Sequence, residues 1–226
     1  MLDIQIVSDL HIEKYTHNDI NGLDFITPSA PILILCGDIG SLYKFKQLFN
    51  FFNSIVSHFS LIIYVPGNNE YYYHDSSHII QFNNLNFRLK TLGDSFKNLK
   101  ILNKSYFIHE NYLFCGCVLW SYIHYELPQF VKIYGMNKDI YNKKNFIEKK
   151  IINYIIQYSK QNNLIPIIIT HYPPTKLLLT NSKLKFYYKR LYYNNMDYLF
   201  HNKLTWIYGH THSNICKQID NTYFFT

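Results

Sequence analysis

Several residue types are scarce in this chain of 226 residues, and some of these shortages exclude whole classes of protein. Alanine occurs once, at Ala30, and arginine twice, at Arg88 and Arg190, so lysine supplies most of the positive charge. Charged residues make up only 16% of the chain and hydrophobic residues 48%, which is typical of a globular protein and argues against a disordered one. No apolar run approaches the roughly 18 residues that span a bilayer, so we expect no membrane partner.

Cysteine is also infrequent, and its placement argues against a disulfide framework. The chain has four cysteines, Cys36, Cys115, Cys117 and Cys216, and none forms a C-x-x-C pair. Two of them, Cys36 and Cys115, lie in apolar runs, so we expect buried thiols in a reducing compartment. The chain opens on a strand-like segment with no basic leader before it, so no secretory signal is visible. These features predict a cytoplasmic protein.

Positive charge exceeds negative charge, with a formal net charge of +7. Such a surface favours anionic partners such as phosphates and nucleic acids. The segment from Lys183 to Arg190 mixes cations with aromatic residues, as single-strand nucleic-acid sites do. Two alternatives are favoured over that interpretation: a solvated amphipathic segment that covers the core, and a compositional bias toward Ile, Asn, Lys, Tyr and Phe. A nucleic acid is therefore a possible partner but not the favoured one.

Short apolar runs rich in β-forming residues predict strands that are buried on both faces. These runs are Ile4–Val7, Ile32–Cys36, Leu61–Val65, Ile167–Thr170 and Thr205–Tyr208. Two further runs, 106–108 and 112–119, flank a His-Glu-Asn turn and predict a hairpin.

Helical spacing of apolar residues predicts two helices. The first follows a possible N-cap at Ser41 and continues to His58. The second is predicted from Phe146 to Tyr158. Strands that alternate with helices indicate an α/β protein, and the absence of a linker or repeat predicts a single domain over residues 1–226.

Five short polar motifs occur along the chain, nearly all of them directly after an apolar run. They are Asp9-Leu-His11, Gly37-Asp38, Gly67-Asn68-Asn69-Glu70, Thr170-His171 and Gly209-His210-Thr211-His212. The ends of strands are positions from which a rigid sheet can direct several side chains at one point. On an extended chain, Asp9 and His11 would point to the same side, as would His210 and His212.

These motifs contain a mixed set of oxygen and nitrogen donors. Three carboxylate or carboxamide groups and four histidines suit Mn²⁺, Fe, Zn²⁺ or Co²⁺ better than Ca²⁺ or Mg²⁺. Seven donors exceed the needs of one tetrahedral ion, and they fit two ions about 3.5–4 Å apart with a bridging carboxylate. We therefore predict two divalent ions, with Mn²⁺ the first choice and Ni²⁺ also possible. The predicted ligands are Asp9, His11, Asp38, Asn68, His171, His210 and His212.

The motifs resemble those of the calcineurin-like metallophosphoesterase superfamily, which has D-x-H, G-D, G-N-H-[ED], H and G-H-x-H in this order. The resemblance extends from near residue 4 to near residue 212, and flanking residues such as Leu119-Trp120-Ser121 are similar to small, mostly bacterial members. It implies that Asp9, His11 and His212 hold one metal, that Asn68, His171 and His210 hold the other, and that Asp38 bridges them.

The same resemblance implies a fold and an activity. The fold is a four-layer α/β/β/α sandwich of two mixed β-sheets flanked by helices. The activity is phosphoester hydrolysis, as a phosphatase or phosphodiesterase, in which a hydroxide shared by the metals attacks phosphorus in line with the leaving oxygen. The implied partner is a phosphorylated substrate.

One position departs from the family pattern, because Asn69 replaces the histidine of G-N-H-[ED]. That histidine lies near the leaving group in the family, and an asparagine amide can donate a hydrogen bond but cannot deliver a proton. General-acid assistance typically contributes 10²–10⁴-fold, so an active enzyme would favour good leaving groups or use another acid, for which His74 is the candidate. The alternatives are a binding or interaction module on a decayed site, and a nuclease that acts on single strands.

Overall fold

The computed structural model describes residues 2–179 and 190–226. Within those ranges the chain forms two β-sheets. The first contains β1 (Ile4–Val7), β2 (Ile32–Cys36), β3 (Leu61–Val65) and β4 (Leu99–Ile101) in that order. The second contains β5 (Ser105–His109), β6 (Tyr112–Cys117), β7 (Ile165–Thr170), β8 (Leu204–Ile207), β9 (Cys216–Ile219) and β10 (Thr222–Phe225), in the order β5-β6-β7-β8-β10-β9. The strand pairs of the first sheet are parallel, and the second sheet mixes parallel and antiparallel pairs.

Three α-helices accompany the sheets: α1 (Phe45–Ile55), α2 (Phe82–Asp94) and α3 (Lys138–Gln161). Helices α1 and α2 lie against elements of the first sheet and its connections, and α3 packs on β6 and β7 of the second sheet. None of the helices in the described ranges combines the length and apolarity that a bilayer span requires.

Side chains of successive strand residues point to opposite faces, and this alternation builds two apolar layers. Ile34 of β2, Ile63 of β3 and Ile169 of β7 belong to a buried cluster made of residues from both sheets. The neighbours in sequence, such as Leu33 and Ile168, belong to a second cluster that also contains residues of α1 and α3. The layers are therefore helix, sheet, sheet and helix, and the predicted α/β/β/α sandwich is confirmed.

The predicted first helix is present with a modified start. The Ser41 side chain accepts a hydrogen bond from the Tyr43 amide, but it caps a 3₁₀ turn (Leu42–Lys44) that leads into α1. The predicted second helix was too short, since α3 begins at Lys138 with Asn137 as its N-cap. The first turns of α3 bury polar side chains, including Asn145 and Glu148, and therefore lack an apolar stripe.

Helix α2 and strand β9 were not predicted from the sequence, although the buried leucines of α2 recur at helical spacing. Helix α2 buries only Leu85, Leu89 and Leu92 among polar neighbours, and β9 is mostly exposed. All four cysteines are free thiols, and Cys36, Cys115 and Cys117 are buried as expected. The expectation of burial was wrong for Cys216, which is exposed because it lies in the outermost strand of the second sheet.

Candidate metal centre

The structure brings the predicted ligands together at the carboxyl ends of five strands, β1, β2, β3, β7 and β8. Backbone hydrogen bonds join the segments that follow these strands. The Asp9 amide donates to the Gly37 carbonyl at 3.0 Å, the His11 amide to the Asp38 carbonyl at 2.9 Å, and the Gly209 amide to the His171 carbonyl at 3.0 Å. The first two bonds join segments that follow strands of the first sheet, and the last joins segments that follow strands of the second sheet.

The backbone around the potential ligands is not extended, so the expected extended geometry was wrong. Asp9 and His11 still meet in one group, whereas His210 and His212 belong to different groups. Strand β1 ends at Val7 and β8 ends at Ile207. Left-handed φ angles follow: 56° at Asp9, 51° at His11, 54° at Asp38, 68° at His210 and 50° at His212. A left-handed non-glycine residue costs roughly 1–2 kcal/mol, although Asp and His tolerate this region better than most residues. The rest of the fold holds these residues in the strained conformation, and their side chains converge as a result.

Two glycines allow the turns to approach each other. Gly37 has a φ of +86°, and a Cβ at this position would lie 2.5 Å from His171 Nδ1. A Cβ at Gly67 would lie 2.6 Å from the Asp38 amide nitrogen. Both distances are shorter than any real carbon contact, so a side chain at either position would separate the ligands.

The first group of potential ligands contains Asp9, His11 and His212. The His212 Nε2 atom lies 3.5 Å from Asp9 Oδ1 and 3.4 Å from His11 Nε2. The His11 Nδ1 atom lies 3.0 Å from Glu13 Oε1, so Glu13 orients this ring and leaves Nε2 to face the other ligands. This group is partly open, because 59% of the His212 side chain is exposed.

The second group contains Asp38, His171 and His210 and is more deeply buried. The His171 Nε2 atom lies 3.3 Å from Asp38 Oδ2, 3.2 Å from His210 Nδ1 and 3.0 Å from Asn68 Oδ1. Its Nδ1 atom lies 2.8 Å from the Cys36 carbonyl oxygen, which selects the tautomer with a proton on Nδ1. Asn68 thus joins this group, as the family resemblance implied.

Asp38 lies between the two groups. Its Oδ2 atom is 3.3 Å from His171 Nε2 in the second group and 3.9 Å from His11 Nε2 in the first. Only 2% of Asp38 is exposed. One buried carboxylate oxygen therefore faces both sets of ring nitrogens, which is the position that a bridging ligand would need.

The charges of the site depend on each other. Burial lowers the pKa of His171, but the negative charges of Asp38, Asp9 and Glu70 outweigh burial and raise it to about 9. Burial and the charge of His171 lower the pKa of His210 well below its ordinary value. Protons thus balance the carboxylates, and a bound cation would displace them, since metal binding releases protons from its ligands.

The donor atoms fit divalent cations. Asp9 Oδ1 and His210 Nε2 are buried, and no hydrogen-bond partner for either occurs among residues 2–179 and 190–226. An unpaired buried polar atom costs about 1–3 kcal/mol. The close approach of imidazole nitrogens to one another, at 3.2 and 3.4 Å, also requires a proton or a cation between them. Each group offers imidazole nitrogen and carboxylate oxygen, the donor set of a transition-metal site.

Glu70 has a supporting function that the sequence motif did not reveal. Its carboxylate is fully buried and accepts hydrogen bonds from the backbone amides of Asp38, Ile39 and Gly67 and from the Tyr64 hydroxyl. The Gly37-Asp38 turn and the Gly67-Asn68 turn are therefore held together by one side chain. In the sequence Glu70 directly follows two asparagines, and no local pattern distinguishes it from an exposed turn residue.

Asn69 lies beside Asp38. Its amide nitrogen Nδ2 donates to Asp38 Oδ2 at 2.5 Å, and its backbone amide donates to Asp38 Oδ1 at 2.8 Å. His74, by contrast, is exposed and does not line the cavity over the site. The structure therefore brings Asn69 to the predicted ligands and does not bring His74.

A cavity of about 380 Å³ opens over the ligands. Its wall is formed mainly by aromatic and aliphatic side chains, with donors of both groups at its base. The described lining residues are Asp38, Asn68, Asn69, Tyr72, Phe130, Val131, Tyr141, Tyr172, Leu179, Leu191, Tyr192, His210, Thr211 and His212. Trp120 is buried in the core and is not among the residues that line the cavity.

Comparison with known proteins agrees with this geometry. A model of the calcineurin-like phosphoesterase family matches residues 2–214. The chain belongs to this family. As a calcineurin-like phosphoesterase, it is a metal-dependent phosphoester hydrolase.

One sequence relative and one structural neighbour show how far the similarity extends. An uncharacterised protein of Acanthamoeba polyphaga mimivirus is 30% identical over 239 residues, which cover 92% of this chain and 84% of that protein. The crystal structure of the phosphopantetheinyl hydrolase from Mycobacterium tuberculosis superposes with a TM-score of 0.65. The superposition covers 98% of this calcineurin-like chain and 87% of the hydrolase at 14% sequence identity, so it shows a shared fold.

Proposed function

We propose that this phosphoesterase works with two divalent ions, with Asp38 as the ligand between them. The observation that carries the proposal is the position of Asp38 Oδ2, 3.3 Å from His171 Nε2 and 3.9 Å from His11 Nε2. Asp9, His11 and His212 would hold one ion, and Asn68, His171 and His210 the other. The mixed N/O donors favour Mn²⁺, with Fe, Zn²⁺, Co²⁺ and Ni²⁺ as alternatives.

Two such cations lower the pKa of a shared water and neutralise the non-bridging oxygens of a phosphate. The protein supplies the remaining requirements. Glu70 and Glu13 hold Asp38 and His11 in place, and the apolar cavity wall limits access of water to the ester. No lysine or arginine lines the cavity within residues 2–179 and 190–226.

The leaving group receives no proton from Asn69, whose amide is occupied by Asp38. We therefore infer a preference for substrates whose leaving group is stable as an anion. Because Asn69 cannot transfer a proton, the rate of hydrolysis should fall most for esters with poor leaving groups, by up to about 10²–10⁴-fold. The substrate would be a small phosphoester with such a leaving group.

The test is hydrolysis of p-nitrophenyl phosphate and bis(p-nitrophenyl) phosphate with Mn²⁺, Ni²⁺, Zn²⁺ or Mg²⁺. The expected result is turnover that depends on added metal and is greatest with Mn²⁺. The double variant Asp38→Asn/His171→Ala is the control for background activity. Turnover no higher than that control with every metal would contradict the proposal.

A second measurement examines the leaving group. Asn69→His restores a side chain that can donate a proton, so we expect a larger rate gain for alkyl phosphate esters than for p-nitrophenyl esters. Asn69→Gln, which keeps an amide, is the matched control and should give no such difference. Equal rate changes for both types of ester in Asn69→His would show that proton donation is not the missing function.

The alternative functions lack comparable support. An interaction module on a decayed site has no reason to keep all seven ligand residues at convergent positions. The nuclease hypothesis depends on the segment from Lys183 to Arg190, and all of it except Arg190 lies outside the described residues. We also propose a reducing, cytoplasmic environment, which the buried free thiols Cys36, Cys115 and Cys117 support.

A further inference from the structure

His210 differs from the other buried ligands in how its ring is held. Glu13 orients His11, and the Cys36 carbonyl orients His171. Ligand histidines are almost always oriented by a hydrogen bond of this kind. The His210 Nε2 atom is buried and has no such partner among the described residues. In the described part of the chain, the contacts of this imidazole are mainly with other rings.

Two tyrosine rings pack against the His210 imidazole. The Tyr172 ring lies 4.1 Å from the His210 ring, centroid to centroid, with an interplanar angle of 36°. The Tyr192 ring lies 4.9 Å away, with an angle of 32°. Close aromatic pairs of this type contribute about 0.5–1.5 kcal/mol each beyond the area they bury. The His210 imidazole is therefore packed against two rings, and His171 contacts it edge-on at 4.9 Å.

Tyr172 is positioned directly by the strand that carries His171. It follows that ligand at the end of β7, and its amide donates to the Val118 carbonyl at 3.0 Å. Its hydroxyl accepts a hydrogen bond from Tyr141 of α3 at 3.3 Å. The first of the two rings is thus fixed from both ends.

Tyr192 is held by a buried amide pair. Asn194 donates from its backbone to the Pro173 carbonyl at 3.0 Å and from Nδ2 to the Leu119 carbonyl at 2.8 Å. Asn145 of α3 donates to Asn194 Oδ1 at 2.6 Å. Asn145 and Asn194 are 3% and 2% exposed. The segment that carries Tyr192 is therefore anchored to the same loop and helix that anchor Tyr172.

We propose that Tyr172 and Tyr192 are positioning residues that fix the His210 imidazole and thereby determine the affinity for the second ion. This inference depends on the proposed two-ion function. Removal of one ring frees the imidazole to rotate, and a ligand that must be ordered on binding holds its ion less tightly. Loss of an orienting partner typically lowers metal affinity 10–100-fold. Among the described residues, no ring contact joins Tyr172 or Tyr192 to the histidines of the first group. The affinity of that group for its ion should therefore not change.

The experiment compares Tyr192→Leu with Tyr192→Phe in the full chain. Leucine keeps apolar volume but removes the ring, whereas phenylalanine keeps the ring. Calorimetric titration with Mn²⁺ should resolve two binding steps in the wild-type protein, and the electron paramagnetic resonance spectrum should show two coupled ions. We expect Tyr192→Leu to weaken only the second step, by 10–100-fold, with loss of the coupled signal at limiting Mn²⁺. Tyr192→Phe should behave as the wild type.

Val131→Ala is the control for a change in the same cavity wall, and it should leave both binding steps unchanged. Melting temperatures of the metal-free variants show whether each one is folded. Unchanged second-ion affinity in Tyr192→Leu, equal weakening of both steps, or equal weakening by Leu and Phe would each overturn the inference. Binding of fewer than two ions by the wild-type protein would instead overturn the proposed function.

Discussion

The two ligand groups use the same types of side chain but hold them in different ways. In the first group His212 is 59% exposed, and His11 is oriented by the Glu13 carboxylate. In the second group His171 is fully buried, and His210 is packed between tyrosine rings. The Gly209-His210-Thr211-His212 motif supplies one histidine to each group. If each group holds an ion, as proposed, the first group would be the more accessible of the two to substrate and water.

The largest effect should come from the residue that the groups share. Asp38→Asn removes the charge that faces both sets of ring nitrogens and should abolish binding of two ions. We expect a loss of activity greater than the 10–100-fold that is typical of residues that only support a ligand. Metal analysis after gel filtration would check this result. Retention of two ions per chain would show that Asp38 does not join the groups.

Alanine substitutions of one histidine in each group should change the stability of the metal-free protein to different extents. His171→Ala removes the positively charged partner of the buried Asp38 carboxylate and should lower the free energy of unfolding of the metal-free protein by about 3 kcal/mol. His212→Ala removes an exposed ring and should change it by less than about 0.5 kcal/mol. Urea denaturation with a chelator present measures both.

The pH dependence of that difference has a defined sign. The pKa of folded His171 is raised from an ordinary value of 6.5 to about 9. Its contribution to stability is therefore complete below pH 6.5 and is lost as the pH rises through 9. The gap between the wild type and His171→Ala should narrow over this range. A constant gap would indicate that packing, and not charge, determines the effect.

A smaller effect should be limited to the first group. Glu13→Gln weakens the bond that orients His11 and should lower the first-ion affinity about 10-fold without a change at the second ion. Calorimetric titration with Mn²⁺ measures the two steps separately. An equal loss at both steps would mean that the groups are coupled through the loop that follows β1.

The least effect on ion binding should come from Glu148, which is 1% exposed and does not line the cavity. It accepts a hydrogen bond from the Trp120 amide at 3.0 Å, and burial raises its pKa from 4.5 to about 7. This carboxyl stabilises the fold below pH 4.5, and that contribution is lost as the pH rises through 7.

Glu148→Gln should remove this pH dependence. At pH 8 the variant should gain up to about 3 kcal/mol relative to the wild type, since each pKa unit corresponds to 1.36 kcal/mol. Below pH 4.5 the two proteins should have nearly equal stability. Denaturation at pH 4, 6 and 8 would check the trend, and a difference independent of pH would contradict the assignment of the pKa.

Much of this fold could be predicted from the sequence because its signals are local. Buried strands such as β2 and β3 are continuous apolar runs, and α1 has apolar residues at helical spacing behind Ser41. The beginning of α3 could not be predicted, since its buried face carries Asn145 and Glu148. Those side chains bond to the Trp120 backbone, and no local pattern reveals such a partner.

The candidate site shows the same division. The motifs identified the potential ligand residues. The extended geometry expected for Asp9 and His11 was wrong, because left-handed turns direct these side chains. Glu70 was visible within its motif, yet two of its four donors, the amides of Asp38 and Ile39, come from a turn that is distant in the chain. Asn69 was recognised as a departure, and only the structure shows that its amide is bound to Asp38.

By itself, the sequence determined where the buried segments and the potential ligands occur. It contains continuous apolar runs that must be buried, and short donor motifs at the ends of those runs. Tertiary structure decided how the donors are combined and supported. His11 and His212 face each other across 201 residues of chain, and the His210 ring is packed between two tyrosines. The physical reason is that strand and helix periodicity depends on neighbouring residues, whereas ring orientation, burial and pKa depend on atoms that only the folded chain brings within a few ångströms.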